Sequence, residues 1–334
     1  MPKRSGLLAA GNFIVDYVKL INVWPEQDTL ATISSESRSN GGGAFNLLLD
    51  LVALGANFPL EACGLVGDDA NGNWILESCQ QAGINITQLA FTDLAPTSYT
   101  DAMTVASSGR RTFFHQRGAN ALFSEKDIDL SRSRAKLFYL SYIMLLDTLD
   151  ELDAKGTTGL ARTLQSAKAA GFITVSDCVS SSDPSFSKIA RAALGHSDVF
   201  FVNEFEAGQI LQRKVEANRV SMTEAGLELK TLGCPGKVVI HAAPGACSID
   251  ATGNTTYQGS IKLPQEFIKG ATGAGDAFSA GYLFALHENK SEESCLRLAV
   301  CTAASSLAHP GASAGVQNAK ACLALAETYG FRDF

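Results

Sequence analysis

The chain has 334 residues, of which 46% are hydrophobic, and its 27 basic and 34 acidic side chains give a net charge of −7. This apolar content, with both signs of charge mixed along the chain, excludes a disordered or collagen-like protein. The acidic balance argues against nucleic-acid or anionic-membrane partners, because binding to either needs an excess of Lys and Arg.

The eight cysteines and the N-terminal segment both indicate a cytoplasmic protein. The cysteines are irregularly spaced, with no C-x-x-C pair and no histidine at zinc-ligand spacing, so we expect buried, reduced thiols. The first apolar stretch is interrupted by Gly11, Asn12 and Asp16, which favours a strand over a signal peptide. The other apolar runs are far shorter than the roughly 20 residues of a membrane span.

Short β-rich runs alternate with longer helical patterns along the chain. The predicted strands are Leu7–Ala10, Leu60–Val66, Lys136–Ser141, Phe172–Asp177, Asp198–Val202 and Lys237–Ile240. The predicted helices cover 44–54, 71–82, 157–170, 204–213, 222–231, 275–287 and 292–308. Strands separated by helices of this length indicate βαβ units and a doubly wound, mainly parallel α/β sheet. Since no linker divides the chain, we expect a single domain over residues 1–334.

Two segments lack this alternation of strand and helix. Residues 17–40 alternate polar and apolar side chains without a helical pattern. Residues 97–117 read as a hairpin, with a turn at 107–109 between Thr97–Val105 and Arg111–His115. Together, 17–40 and 97–117 are predicted to form a small β lid over the sheet, which would keep water out of a reaction site.

The stretch from Gly270 to Gly281 carries the strongest chemical signal. Thr272–Gly275 is a glycine-rich turn, and Asp276 opens an apolar helix. Free amides at a helix start bind anions, so those of residues 274–276 are predicted to hold a transferring phosphoryl group. Asp276 would accept the proton of an attacking hydroxyl. The alternative is a routine turn with Asp276 as a helix-dipole partner. Neither a Walker A loop nor a Rossmann fingerprint fits.

Five short motifs occur in order across residues 11–312. They are Gly11-Asn12 with Asp16, Asn40-Gly-Gly-Gly-Ala-Phe-Asn46, the G-x-V-G-x-D-x-x-G-like stretch from Gly64 to Gly72, Asn203-Glu-Phe-Glu206, and Gly273-Ala-Gly-Asp276-Ala-Phe with Gly281. In this order and spacing, they make the chain resemble the ribokinase-like (PfkB) family of carbohydrate kinases. The resemblance implies a ribokinase-like fold.

It also implies an ATP-dependent sugar kinase that transfers the γ-phosphate of MgATP to a hydroxyl, most often primary, of a monosaccharide or sugar acid. Asp276 would be the catalytic base, and Gly273, Ala274 and Gly275 would form the anion site. The residues implied to bind the substrate are Asp16, Gly42, Gly43 and Asn46, with His115, Arg117 and Asn120 from the lid.

For the cofactor, the resemblance implies that Asn203 and Glu206 organise Mg²⁺ through water. A helix capping box accounts for this pair almost equally well. Further residues implied to bind ATP are Thr272, His241, Gly245, His309 and Gly311.

The chain departs from the family pattern at two places. Gly270-Ala271 stands where Asp-Thr is common, and His241 and Ala243 replace a Thr and a Gly. The first change leaves a monovalent cation requirement open, and the second concerns how the nucleotide is held.

Three functional hypotheses remain open at this stage. The first is the sugar kinase, and the second is a nucleoside kinase of the same fold, with Phe113, Phe114 or Tyr99 as a platform for the base. The third is a non-catalytic sensor of sugar or nucleotide. The partner expected is a small sugar-like molecule, and pairing of two lids would give a homodimer.

Overall fold

The computed structural model describes residues 4–334. Its strands, in chain order, are β1 (Leu7–Gly11), β2 (Ile14–Ile21), β3 (Ile33–Gly41), β4 (Leu60–Gly67), β5 (Asn85–Thr92), β6 (Tyr99–Val105), β7 (Arg111–Gln116), β8 (Leu137–Ile143), β9 (Ile173–Cys178), β10 (Val199–Asn203), β11 (Lys237–Ala242), β12 (Gly245–Ile249) and β13 (Thr255–Gly259). Its α-helices are α1 (Gly43–Leu54), α2 (Ala70–Gln81), α3 (Asp147–Asp150), α4 (Gly159–Ala169), α5 (Phe186–Leu194), α6 (Glu204–Leu211), α7 (Arg219–Thr231), α8 (Ala274–His287), α9 (Glu292–Ser306) and α10 (Ala319–Tyr329).

The larger of two sheets has nine strands in the order β13-β12-β11-β10-β9-β8-β1-β4-β5. The strands from β11 to β5 pair in parallel, and the hairpin β12–β13 adds two antiparallel strands at one edge. Every residue of the interior strand β1 is buried, as expected for a parallel strand covered on both faces. The predicted doubly wound, mainly parallel fold is therefore confirmed.

Alternation along β1 divides the hydrophobic interior into two cores. Leu7 and Ala9 belong to a core that also takes residues from α1, α8 and α9. Leu8 and Ala10 belong to the opposite core, which α4, α5 and α7 cover. Successive side chains of a strand point to opposite faces, so this single apolar strand anchors helices on both sides of the sheet.

The six strands and seven helices predicted for the main sheet and its helices are all present, with ends shifted by up to three residues. The sequence prediction missed β5, α3, α5, the β12–β13 hairpin and α10. Strand β12 is the sequence Gly-Ala-Cys-Ser-Ile, whose small residues carry little strand propensity. Helix α5 is nine residues long and has no side-chain N-cap hydrogen bond, so its start lacks the usual signal.

The second sheet is small and has the order β3-β2-β6-β7. Strand β2 runs antiparallel to β3 and parallel to β6, and β6 and β7 form a hairpin. Most of its residues come from the two segments that the sequence set apart, although the sheet begins at Ile14 and ends with Gln116. Its register puts Ser39, Asp16, Thr100 and His115 in one row across the four strands.

All eight cysteines are free and buried, as predicted. Burial raises the pKa of the Cys79 thiol to about 12, which keeps it protonated and unreactive. Over residues 4–334, no helix combines the length and the apolar character that crossing a bilayer requires.

Candidate active site

The glycine-rich turn ahead of α8 needs glycine at residue 273. Gly273 has φ 74°, and a Cβ there would lie 2.8 Å from Cα of Ala312. The amide of Ala274 approaches the carbonyl oxygen of Ala271 at 3.3 Å. The amides of Gly275 and Asp276 find no acceptor within the described chain. The first turn of α8 therefore presents free N–H groups suited to an anion.

Asp276 lies in this first turn, and only 3% of its surface is exposed. The hydroxyl of Tyr142 donates to both carboxylate oxygens, at 2.7 and 2.6 Å, and Nδ2 of Asn46 donates to Oδ2 at 2.8 Å. Burial raises the pKa of Asp276 to about 6, although these hydrogen bonds oppose the rise. At neutral pH the group is mostly ionised and able to accept a proton.

A second layer of hydrogen bonds fixes Asn46. Nδ2 of Asn40 donates to Oδ1 of Asn46 at 2.6 Å and to the hydroxyl of Ser313 at 2.8 Å. The side-chain nitrogen of Asn46 therefore donates to Asp276, and its side-chain oxygen accepts from Asn40. The structure places this predicted substrate-binding residue against the carboxylate of Asp276.

The small sheet contributes a row of polar side chains. The Thr100 hydroxyl lies 3.0 Å from Nδ1 of His115, whose Nε2 is buried without a hydrogen-bond partner in the described residues. Burial raises the pKa of Asp16 to about 7, a hydrogen bond from Thr100 opposes the rise, and the charge of Asp276 adds to it. The Asp16 carboxylate covers Gly41, where a Cβ would lie 2.4 Å from Oδ1. The sequence interpretation did not single out Gly41.

Gly42 and Gly43 are needed for close packing. Gly42 has φ 85°, and a Cβ there would lie 2.6 Å from the carbonyl oxygen of Asn12. A Cβ on Gly43 would lie 2.6 Å from Oγ of Ser141 and 2.8 Å from Cε1 of Tyr142. Their contact with a substrate stays a prediction.

Two predicted lid residues have partners elsewhere in the chain. Arg117 forms an ion pair with Asp147 and donates to the carbonyl oxygen of Met144 at 3.0 Å. Asn120 is fully buried, and its amide bonds the backbone N–H and carbonyl of Phe13 at 3.4 and 3.2 Å. Of the three residues predicted for specificity, His115 is the one that the sheet register places in the row with Asp16.

Two adjoining cavities meet at the N-terminus of α8. One, of about 320 Å³, is lined by Asp276, Tyr142, Asp177, Glu206 and Phe113 among others. The second, of about 480 Å³, is mainly apolar. His241, Asn203 and the turn residues Ala271, Ala274 and Gly275 border both, so the two spaces form one cleft.

The apolar cavity suits a planar heterocycle, because such sites depend on packing more than on polar side chains. Its lining includes the predicted Gly245 and the residues Ile261, Leu263, Val300, Ala304 and Leu307, which the sequence interpretation missed. No sequence motif marks these lining residues, because many apolar side chains could form such a wall. His309 and Gly311 are not in this wall, and a Cβ on Gly311 would lie 3.0 Å from Oγ of Ser39.

His241 lies at the junction of the two cavities. Its ring packs on that of Phe278, with centroids 4.9 Å apart and planes tilted by 30°. Burial lowers the pKa of His241 to about 4, so the imidazole is neutral at physiological pH. It therefore offers a neutral surface, and no positive charge, to a ligand in the cleft.

Asn203 and Glu206 form the capping box of α6, with reciprocal hydrogen bonds of 2.8 and 2.9 Å. The Ser180 hydroxyl also donates to Glu206, at 2.8 Å, and burial raises the pKa of Glu206 to about 7. Asp177 accepts a hydrogen bond from Tyr139 at 2.5 Å, and its Oδ1 is buried without a partner in the described chain. Within residues 4–334, no three His, Cys, Asp or Glu side chains could hold a metal ion by themselves.

Arg111 links the small sheet to the glycine-rich turn. Its Nη1 donates to the hydroxyl of Thr272, and a Cβ on Gly270 would lie 2.5 Å from its Nη2. The guanidinium is half-buried and forms no ion pair with a carboxylate of the described residues. The missing side chain at Gly270, which departs from the family pattern, leaves room for it.

The fold and this cleft define a phosphotransferase that acts on an alcohol group. Residues 9–319 match the sequence profile of the "pfkB family carbohydrate kinase", and the chain belongs to that family. The recognition made from the five sequence motifs is confirmed.

Several characterised proteins are similar over most of their length. A ribokinase of Arabidopsis thaliana is 25% identical over 329 residues, 96% of this chain and 80% of the relative. A nucleoside kinase of Methanothermobacter thermautotrophicus is 25% identical over 306 residues, 91% of this chain and 89% of the relative. The solved structure of the Arabidopsis ribokinase complexed with ribose and ATP has a TM-score of 0.80 at 22% identity, covering 97% of this chain and 98% of that one.

The substitution Gly41→Ala tests the position of Asp16 without altering the carboxylate itself. The new methyl group would overlap Oδ1 of Asp16, so the side chain must move from the position in which the sequence predicts that it binds the acceptor. We expect the KM for the alcohol acceptor to rise about tenfold, the effect of weakening one charge-assisted hydrogen bond. The measurement is initial rate against acceptor concentration.

The matched control is Gly195→Ala, because Gly195 has φ −65° and its Cβ would have no neighbour closer than 4.0 Å. An unchanged acceptor KM in a stable Gly41→Ala protein would contradict the placement of Asp16 at the acceptor.

Proposed function

We propose that the protein transfers the γ-phosphate of ATP to a hydroxyl of a monosaccharide or sugar acid, with Asp276 as the catalytic base. One observation carries this proposal. A buried, mostly ionised carboxylate lies in the same helical turn as two amides that have no acceptor in the described chain. A proton acceptor and an anion site are thereby adjacent, as in-line phosphoryl transfer requires.

The two cavities would bind different parts of the reactants. The apolar cavity would take the adenine of ATP, and the triphosphate would pass His241 toward the amides of Gly275 and Asp276. There the amides stabilise the charge of the phosphoryl group during transfer. Asp276 takes the proton of the acceptor hydroxyl as that oxygen attacks the γ-phosphorus and ADP leaves.

The residues present fit a magnesium ion carried by the nucleotide. Asp177 has a buried oxygen without a hydrogen-bond partner in the described chain, and it lines the polar cavity with Glu206 and Asn203. We propose that these three residues hold Mg²⁺ through its water ligands. When bound, the ion would neutralise part of the negative charge of the phosphates.

We further propose that the small sheet is the lid of a single domain and that its polar row binds the acceptor. Asp16 can accept hydrogen bonds from two neighbouring hydroxyls, and Nε2 of His115 is available to a third polar group. Burial lowers the pKa of His115, with the charge of Arg117 adding to this effect, so we infer a neutral imidazole. This side of the cleft suits a polyol.

A nucleoside is the second candidate acceptor, because Phe113 is 54% exposed and lines the cavity that contains Asp276. Its ring would stack on a base. The other platforms named from the sequence are engaged: Phe114 stacks on Trp24, and Tyr99 packs edge-on against Tyr17.

An ADP-release assay over a panel of acceptors tests the function. We expect acceptor-dependent ADP with at least one of ribose, fructose, 2-keto-3-deoxygluconate and tagatose 6-phosphate. Asp276→Asn should lower kcat by roughly 10²- to 10⁴-fold with ATP binding retained, since it removes the general base. Turnover of nucleosides alone would favour the second candidate. ATP binding without any acceptor-dependent turnover would instead indicate a sensor and overturn the proposal.

Arg111 is proposed to bind the transferring phosphoryl group from the lid side. Its contact with Thr272 puts a half-buried guanidinium beside the anion site. Since no carboxylate in the described chain pairs with it, its charge is available to phosphate oxygens. Lid position and phosphate binding would then depend on each other.

We expect Arg111→Met to lower kcat about 10²-fold, as removal of a single donor to transition-state charge does elsewhere. Arg110→Met, at the exposed neighbouring position, should keep the wild-type kcat. Steady-state rates of the two variants with ATP and the best acceptor provide the measurement. Equal rates for both would remove Arg111 from the site.

The outer face of the small sheet is proposed to pair with a second copy of the chain. Trp24 and Phe114 stack there with planes 6° apart, and they are 45% and 52% exposed. Stacked aromatic rings exposed on the surface of a protein are typical of an interaction surface. Light scattering during gel filtration should give twice the chain mass for wild type and a lower mass for Phe114→Ser. A monomeric wild type would refute the pairing.

A further inference from the structure

Tyr142 is the nearest donor to the proposed base, although it belongs to none of the five sequence motifs. It follows Ser141 in β8 and lines the polar cavity. Its hydroxyl lies 2.7 and 2.6 Å from the two oxygens of Asp276, so one O–H group is shared between both ends of the carboxylate. A single neutral donor thereby restrains both oxygens of the carboxylate.

The position of Tyr142 is fixed independently of Asp276. Its backbone N–H donates to Oδ1 of the fully buried Asn12 at 2.6 Å, and Nδ2 of Asn12 donates to the carbonyl oxygen of Leu145 at 3.0 Å. The ring fits against the start of α1 because Gly43 has no Cβ. Backbone, ring and hydroxyl are each held by a different element, and this indicates a defined role for the side chain.

We propose that Tyr142 is a positioning residue for the catalytic base, whose hydroxyl orients the Asp276 carboxylate and keeps it ionised until the acceptor alcohol binds. The inference rests on the proposed function, which assigns the base to Asp276. A carboxylate has about four lone-pair positions, and Tyr142 and Asn46 do not occupy all of them. A position for the acceptor hydroxyl therefore remains.

The surroundings of Asp276, which are buried and hold no cation among the described residues, explain why such a donor is needed. The acidic groups near enough to interact electrostatically with Asp276 are Asp16 from β2, Asp50 from α1, Asp177 and Glu206. The phenols of Tyr139 and Tyr142 on β8 also face it. Within residues 4–334, Asp276 has no ion pair with Lys, Arg or His. Neutral donors therefore oppose the effect of burial on Asp276, and no cation of the described chain does so.

During transfer the acceptor proton moves to Asp276, the acceptor oxygen bonds to the γ-phosphorus, and the bond to the departing ADP oxygen breaks. Tyr142 keeps its own proton throughout, because burial and the nearby carboxylates raise the pKa of its phenol far above the ordinary value. Tyr142 contributes by orienting Asp276 and by setting the proton affinity of the Asp276 carboxylate.

The test is Tyr142→Phe with Tyr282→Phe as the matched control. Both tyrosines are largely buried and donate to a carboxylate, but Tyr282 donates to Glu292, which does not line the polar cavity. The pKa of Asp276 is measured by carbon-13 NMR with labelled aspartate, assigned with Asp276→Asn. The pH profile of kcat/KM is measured with the acceptor found by the panel.

In the wild type, activity should rise with pH through the pKa of Asp276, because the ionised form is the base. Loss of the Tyr142 hydrogen bond should move this pKa, and the acid limb of kcat/KM, up by about one pH unit. The Tyr282→Phe protein should keep both near wild type. An unshifted pKa and acid limb in a folded Tyr142→Phe protein would overturn the proposal.

A second replacement covers the case in which Tyr142→Phe does not fold. Incorporation of 3,5-difluorotyrosine at position 142 keeps the shape of the ring and makes the phenol a stronger donor, so the pKa of Asp276 should fall. A rise or no change would contradict the proposal. If no acceptor is turned over by wild type, the proposed function fails, while the NMR titration still decides the effect of Tyr142 on Asp276.

Discussion

The site depends on keeping one buried carboxylate charged. Burial of Asp276 favours its protonated form. The opposing interactions are hydrogen bonds from Tyr142 and Asn46 and the positive end of the α8 dipole. A lysine or arginine ion pair would hold the charge more strongly, but it would also lower the proton affinity that a base needs. Hydrogen bonds from neutral donors leave the pKa of Asp276 close to the pH at which a general base operates.

The fold brings these groups together at one edge of the large sheet. Parallel strands end on the same side, so residues that follow β1, β8, β9 and β10 meet there although they are distant in the chain. Helices α1 and α8 begin at this edge, and each starts with a glycine that permits close packing. The strands of the small sheet are inserted between β1 and α1 and again after β5. Its polar row therefore faces the same edge of the large sheet.

The sequence predicted the parts of the site that require a particular backbone. Gly273, Gly42 and Asp276 stand in short motifs because turn geometry and a helix start permit few residues there. The roles of Tyr142 and Arg111 were not predicted, because their hydrogen-bond partners are 134 and 161 positions away along the chain. The apolar wall was also missed, because burial tolerates many side chains. The hairpin β12–β13 and helix α5 have weak local signals and are stabilised by packing on the sheet.

The contact between Gly43 and the ring of Tyr142 has an evolutionary consequence. The distance from Cε1 to the Cβ position of residue 43 is 2.8 Å, so the two sites share one volume. Because a Cβ at 43 would also lie 2.6 Å from Oγ of Ser141, a larger residue at 43 would require changes at both 141 and 142. A chain that keeps Tyr142 beside the base must therefore keep glycine at the first position of α1.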